Sequence, residues 1–169
     1  MELKQSAQEY EIPHQLTYYE CDELDHPTLS MVMSMLSVVA DEQSNKLGLN
    51  QEVVQSTGGS WVFVNFEGKL DLQSLRSGDT VILGTRATGY NRFFATREFW
   101  VRDKDGQKEY AHVQALLVFM NLTSRKMEQI PEKVIAAYQA PQVKRVPRGQ
   151  RPKQIPEDAT LSGKQYHVR

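Results

Sequence analysis

The sequence predicts an α+β domain in which a long helix is followed by an antiparallel sheet, and three observations predict it. Residues Thr28 to Gly48, TLSMVMSMLSVVADEQSNKLG, carry apolar side chains at helical spacing. Four strand-like segments come after them, joined by short polar turns. One more strand-like segment precedes the helix.

In chain order, the first ten or so residues are polar. Residues 12 to 20, IPHQLTYYE, read as a strand because two tyrosines favour a pleated surface. The turn CDELDHP leads into the helix, where Leu29, Val32, Met33, Leu36, Val39, Ala40, Gln43 and Leu47 repeat at i, i+3, i+4, i+7. Met31, Met35 and Val38 widen that face, so the first half is expected to be wrapped by other structure. Pro27 suits a first turn and Gly48 a left-handed stop. Leu49 to Ser60 is mixed and ends in the loop signal Thr57-Gly58-Gly59-Ser60.

The four strands are expected at Trp61–Leu70, Thr80–Tyr90, Arg92–Arg102 and Glu109–Leu122, with a hairpin at Asp103-Lys104-Asp105-Gly106. Short turns make neighbours antiparallel. The third strand places Phe93, Ala95, Phe99 and Val101 on one face, interrupted by Arg97, and the fourth is apolar on both faces from Ala115 to Met120, as a central strand is. Ile130-Pro131-Glu132 then opens a short helix. This order is the layout of the hotdog fold, a long central helix wrapped by a curved antiparallel sheet; an antiparallel sheet with its helix elsewhere fits the same pattern.

A chain of 169 residues is long enough for one good core. Residues 1–139 form that domain, 140–159 read as an extended proline- and base-rich linker, and 160–169 resume a strand pattern. With 20 basic and 21 acidic residues the formal net charge is −1, which argues against whole-chain attraction to nucleic acid or a membrane surface. Cys21 is the only cysteine, so no internal disulfide is possible. No apolar run approaches the roughly 18 residues of a membrane span and the polar start lacks a signal peptide's apolar core, so a cytoplasmic protein is expected. Zinc-type Cys/His spacing, a P-loop and a dinucleotide fingerprint are all missing, so no metal or other cofactor is implied.

The segments YYECDELDHPTLSMVMSML, DEQSNKLGL, WVFVNFEGKL, GDTVILGTRATGYNRFFATREFWVRDKDG and LLVFMNLTSRKMEQIPEKVIAAY resemble, in order and spacing, the N-terminal half of bacterial and plant acyl-ACP thioesterases. ATGYNRFFATREF is the most specific portion. The resemblance implies hydrolysis of a fatty acyl chain from the phosphopantetheine thiol of acyl carrier protein. That family joins two hotdog domains by a linker, and an Asp-x-Asn-x-His motif follows the opening strand of the second. Tyr166-His167-Val168-Arg169 looks like that strand, so the family's catalytic residues are expected in a second domain beyond it.

The turn before the helix holds Glu20, Asp22 and His26, which are weak catalytic candidates: carboxylates beside a helix N-terminus could serve as bases where its dipole polarises a carbonyl. Set against the second-domain motif, Leu24 stands where asparagine would, so the turn reads as a faded copy whose acids cap or solvate. Cys21 reads as a small packed residue rather than a nucleophile. Met31, Met35, Val38 and Val39 are expected to wall an acyl tunnel, since thioethers adapt to variable chains, and Trp61 and Phe63 to close it. Arg86, Asn91, Arg92 and Arg97 are candidates for contact with the acidic carrier protein, against a paired or solvated role for the arginines. Two further possibilities are a non-catalytic acyl-binding or regulatory hotdog module, and a homodimer formed through sheet pairing.

Overall fold

A computed structural model describes residues 3–147 and Gly149. Strand β1 is Glu9–Gln15, helix α1 Leu29–Lys46, α2 Gln51–Gln55, β2 Gly59–Leu70, β3 Thr80–Tyr90, β4 Phe94–Asp103, β5 Glu109–Asn121, β6 Met127–Glu128 and α3 Glu132–Ala136. The strands form one antiparallel sheet in the order β1-β3-β4-β5-β2, with the short β6 on β5. Helix α1 crosses one face of this sheet and packs on β3 and β1. The hotdog architecture expected from the sequence is therefore present.

Strand alternation decides what the helix meets. Val81, Leu83, Thr85 and Ala87 of β3, and Ala95, Arg97, Phe99 and Val101 of β4, occupy the face beneath α1, which answers with Val32, Leu36, Val39 and Gln43. Burying that many branched side chains at about 1.5–3 kcal/mol each is what holds the layers together. The helix is only half wrapped: Leu29 and Val38 are about half exposed, at 57% and 49%.

Local signals set the element ends. The Thr28 hydroxyl accepts from the Met31 N–H and caps α1, so Pro27 lies outside the helix as a buried neighbour, and Gly48 at φ 73° takes the left-handed stop. Strand β1 stops at Gln15 rather than running to residue 20, because Thr17 and Glu20 form a reciprocal capping box around a 3-10 turn over Tyr18–Glu20. That turn leaves Tyr18 82% exposed. The stretch after α1 contains α2, whose start is fixed by the Asn50 side chain accepting from the Val53 N–H.

Strand β5 lies between β4 and β2. Its outward Leu116 is buried because the chain after α3 crosses the sheet's outer face, bringing Pro147 and Gly149 beside Thr96 and Leu116. At the start of that crossing the Tyr90 N–H donates to the Pro141 carbonyl and the Val143 N–H to the Tyr90 carbonyl. The remaining linker and the strand expected at 160–169 lie outside the described residues.

Candidate functional site

A cavity of about 90 Å³ opens between the C-terminal half of α1 and the sheet. The helix contributes Ser37, Ala40, Asp41 and Ser44, spaced three and four apart so that one stripe of small or polar side chains faces inward. Because these side chains are short, they leave space between the helix and the sheet here, whereas Met35 and Val39 are packed into the core. Trp61 and Phe63 of β2 form one wall and Leu117 of β5 the floor. Ile135 and Tyr138, from α3 and the turn after it, close the other side. The Tyr138 hydroxyl meets Ser44 Oγ at 2.8 Å, tying α3's end to the helix.

Arg97 enters this cavity from the centre of the sheet and is only 7% exposed. Its Nη1 donates to Gln43 Oε1 at 2.5 Å and Thr85 Oγ1 at 2.9 Å, and its guanidinium carbon lies 5.0 Å from the centre of the Tyr138 ring. Burial pushes the guanidinium down from its ordinary value, partly offset by Tyr138 and Asp41. Asp41 sits on the same cavity, its carboxyl pushed up by its protein surroundings against the opposing pull of Arg97. No ion pair joins the two.

The residues expected to form the site are distributed differently. Trp61 and Phe63 line the cavity. Met31, Met35, Val38 and Val39 do not: Met35 and Val39 are core, Met31 is half-buried and Val38 is exposed. The open space follows small side chains, and methionines fill space. Arg97, expected at the surface with the carrier-protein candidates, is buried, because the period of two that turns Ala95 and Phe99 inward turns Arg97 inward as well.

Arg86 is exposed and paired with Glu98 at 2.6 Å. Arg92 is exposed, donates to Gln129 Oε1 and stacks on Phe93. Asn91 accepts from the Phe93 and Phe94 N–H groups and shapes the turn into β4.

The turn before α1 is occupied by its own scaffolding. Glu20 is buried and accepts from the Thr17 N–H, the Thr17 hydroxyl and His14 Nε2; burial alone would raise its carboxyl, but these bonds hold it below the usual carboxylate range. Asp22 accepts from the Leu24 and His26 N–H groups. Arg76 donates to His26 Nδ1 at 2.6 Å. Burial, with the negative charges of Asp25, Glu20 and Asp22, pushes the Cys21 thiol up and makes it a poor nucleophile. From Thr28 to Ser37, the first helical residue of the cavity wall, is nine residues, so this turn stands about 13 Å along the helix from that wall at 1.5 Å per residue.

Sequence reading places Ala40 on the apolar face of the helix but does not single out Ser37, Asp41, Ser44 or Tyr138 as lining residues. The stripe was visible as spacing, but attention to apolar positions passes over small ones.

The sequence model of the family described as acyl-ACP thioesterase N-terminal domain matches residues 7–138. Among solved structures, the chain is 35% identical to a provisionally assigned oleoyl thioesterase from Lactobacillus plantarum, with a TM-score of 0.82, covering 89% of this chain and 59% of that one. An acyl-ACP thioesterase from Bacteroides thetaiotaomicron shares the fold at 19% identity and TM-score 0.69, covering 88% of this chain and 58% of that one. The 12:0-ACP thioesterase from Umbellularia californica does so at 17% and 0.71, covering 91% and 62%. The chain thus spans about three fifths of the length of these relatives. No curated protein sequence matches it.

Proposed function

Since this chain belongs to the acyl-ACP thioesterase N-terminal domain family, we propose that it supplies the acyl-binding half of a thioesterase that releases fatty acid from acyl carrier protein. The observation that carries this reading is the cavity between α1 and the sheet, walled by Trp61, Phe63 and Leu117. An acyl chain laid there leaves water, and each methylene buried is worth about 0.8 kcal/mol.

Hydrolysis adds water to the thioester carbonyl and expels the pantetheine thiol. It needs a base for the water and donors for the oxyanion. We assign both to a second hotdog unit, because Glu20, Asp22 and His26 are engaged by loop bonds and lie at the wrong end of the helix. The far edge of β2 has no strand partner among the described residues and exposes Val64 and Leu70, which suits pairing with that unit.

The test is turnover of acyl carrier protein thioesters by the 169-residue chain. Acyl binding without hydrolysis is expected. Robust hydrolysis that Glu20→Gln or Asp22→Asn abolishes would overturn the division of labour. Failure of an added second hotdog unit to restore activity would favour a non-catalytic acyl-binding module instead.

A further inference from the structure

A second space, of about 420 Å³, adjoins the cavity. The two succeed one another along α1: Ser37 and Ala40 line only the cavity, Asn45 and Leu49 only the second space, and Asp41 and Ser44 line both. Trp61, Phe63 and Tyr138 are shared as well.

Among the shared residues, Ser44 and Tyr138 alone are hydrogen-bonded to each other, oxygen to oxygen at 2.8 Å, from the helix to the turn after α3. The Ser44 hydroxyl also donates to the Ala40 carbonyl at 2.8 Å, the back-bond a serine makes within a helix. Its single proton is spent there, so Tyr138 is the donor to Ser44 Oγ. The tyrosine ring also carries the Arg97 guanidinium carbon 5.0 Å from its centre. A buried ring therefore stands where the two spaces meet, tied to the helix by one neutral hydrogen bond. Breaking that bond does not strand Ser44, which keeps Ala40. An acyl chain lying in the cavity gains affinity about fourfold for each methylene it buries. A chain long enough to reach the pair stops gaining until it parts the bond.

Resting on the acyl-binding reading above, we propose that the cavity and the second space are successive lengths of one acyl path, and that the Ser44–Tyr138 bond is the partition that sets how long an acyl chain the domain takes. Ser44 and Tyr138 act on specificity by closing a passage, not by contacting the reacting atoms.

The experiment titrates the 169-residue protein with N-acetylcysteamine thioesters of saturated acids of increasing length, with binding read by quenching of Trp61, which lines both spaces. The other tryptophan, Trp100, is buried on the opposite face of the sheet. Affinity is expected to climb with length and then level off at a limit. Ser44→Ala and Tyr138→Phe each remove one side of the same bond, so both should move that limit to longer esters and leave shorter ones bound as before. An ester two methylenes past the parent's limit should bind about tenfold more tightly to either variant, and the double variant should gain no more than either alone. Val38→Ala, at an exposed site, should keep the parent's limit. Ser44 is half-buried and alanine favours a helix, so its variant does not hinge on core packing. A limit unmoved in one or both variants, or a change equal at all lengths, overturns the proposal and leaves acyl binding standing. Affinity that climbs without a limit in the parent overturns it too. No quenching by any ester overturns the acyl-binding reading itself.

Discussion

Arg97 Nη1 donates to Gln43 Oε1 at 2.5 Å, joining the centre of the sheet to the helix through a contact in which both side chains are buried. Gln43 also donates to the Ala7 carbonyl, so one amide holds strand, helix and N-terminal segment together. Gln43→Ala removes an acceptor from a buried cation and should destabilise the domain by about 2 kcal/mol in urea denaturation. Replacing both partners, Gln43→Leu with Arg97→Met, should cost less than Gln43→Ala alone, since no charge is then left stranded.

Core and cavity should separate cleanly by mutation. Met35→Ala leaves a void in the packed layer and should cost about 2–5 kcal/mol in denaturant titration. Ala40→Phe places a ring where the helix stripe opens the cavity, so acyl-ester quenching of Trp61 should disappear. Val38→Ala should change stability by no more than about 0.5 kcal/mol.

The depressed carboxyl of Glu20 links this turn to pH. Burial opposes its charge, yet the bonds from Thr17 and His14 favour it, so the folded state prefers the ionised form. The stabilisation is therefore fully present above the ordinary glutamate range and is lost as pH falls through the lower folded value. Glu20→Gln should cost about 2 kcal/mol near neutrality, and the gap between variant and parent should narrow as pH falls below the ordinary glutamate range of about 4.3. Denaturation series at pH 7, 5 and 3.5 check this. A gap that widens in acid would contradict it.

Much of this fold could be read directly, because long periodic segments announce themselves. The α1 pattern located Leu29–Lys46 nearly to the residue, and Asp105-Gly106 marked the β4–β5 hairpin. What escaped reading was decided by contacts distant in sequence or by short polar signals. Tyr18 and Tyr19 look strand-like until Thr17 and Glu20 close a turn around them. Arg97 interrupts an apolar face, which suggests the surface, but the strand's alternation holds and Gln43, fifty-four residues away, supplies its acceptor. The cavity lies beside the small and polar residues Ser37, Ala40, Asp41 and Ser44, which an apolar period does not single out.

Gly84 and Trp100 set a further constraint. The Trp100 indole lies directly over Gly84, where a β-carbon would strike the ring, and its Nε1 donates to the buried Glu11 at 2.9 Å. Gly84→Ala should therefore destabilise the sheet by about 1–3 kcal/mol and shift Trp100 emission to the red as the indole is displaced. Thermal denaturation read at tryptophan wavelengths measures both.

Tyr90, whose backbone is bonded on both sides by residues 141–143, directly follows Gly89 in the cavity wall. The segment after α3 is thereby fastened one residue from the cavity wall. Residues 141–143 and the cavity wall at Gly89 are thereby held to one another through the backbone of Tyr90.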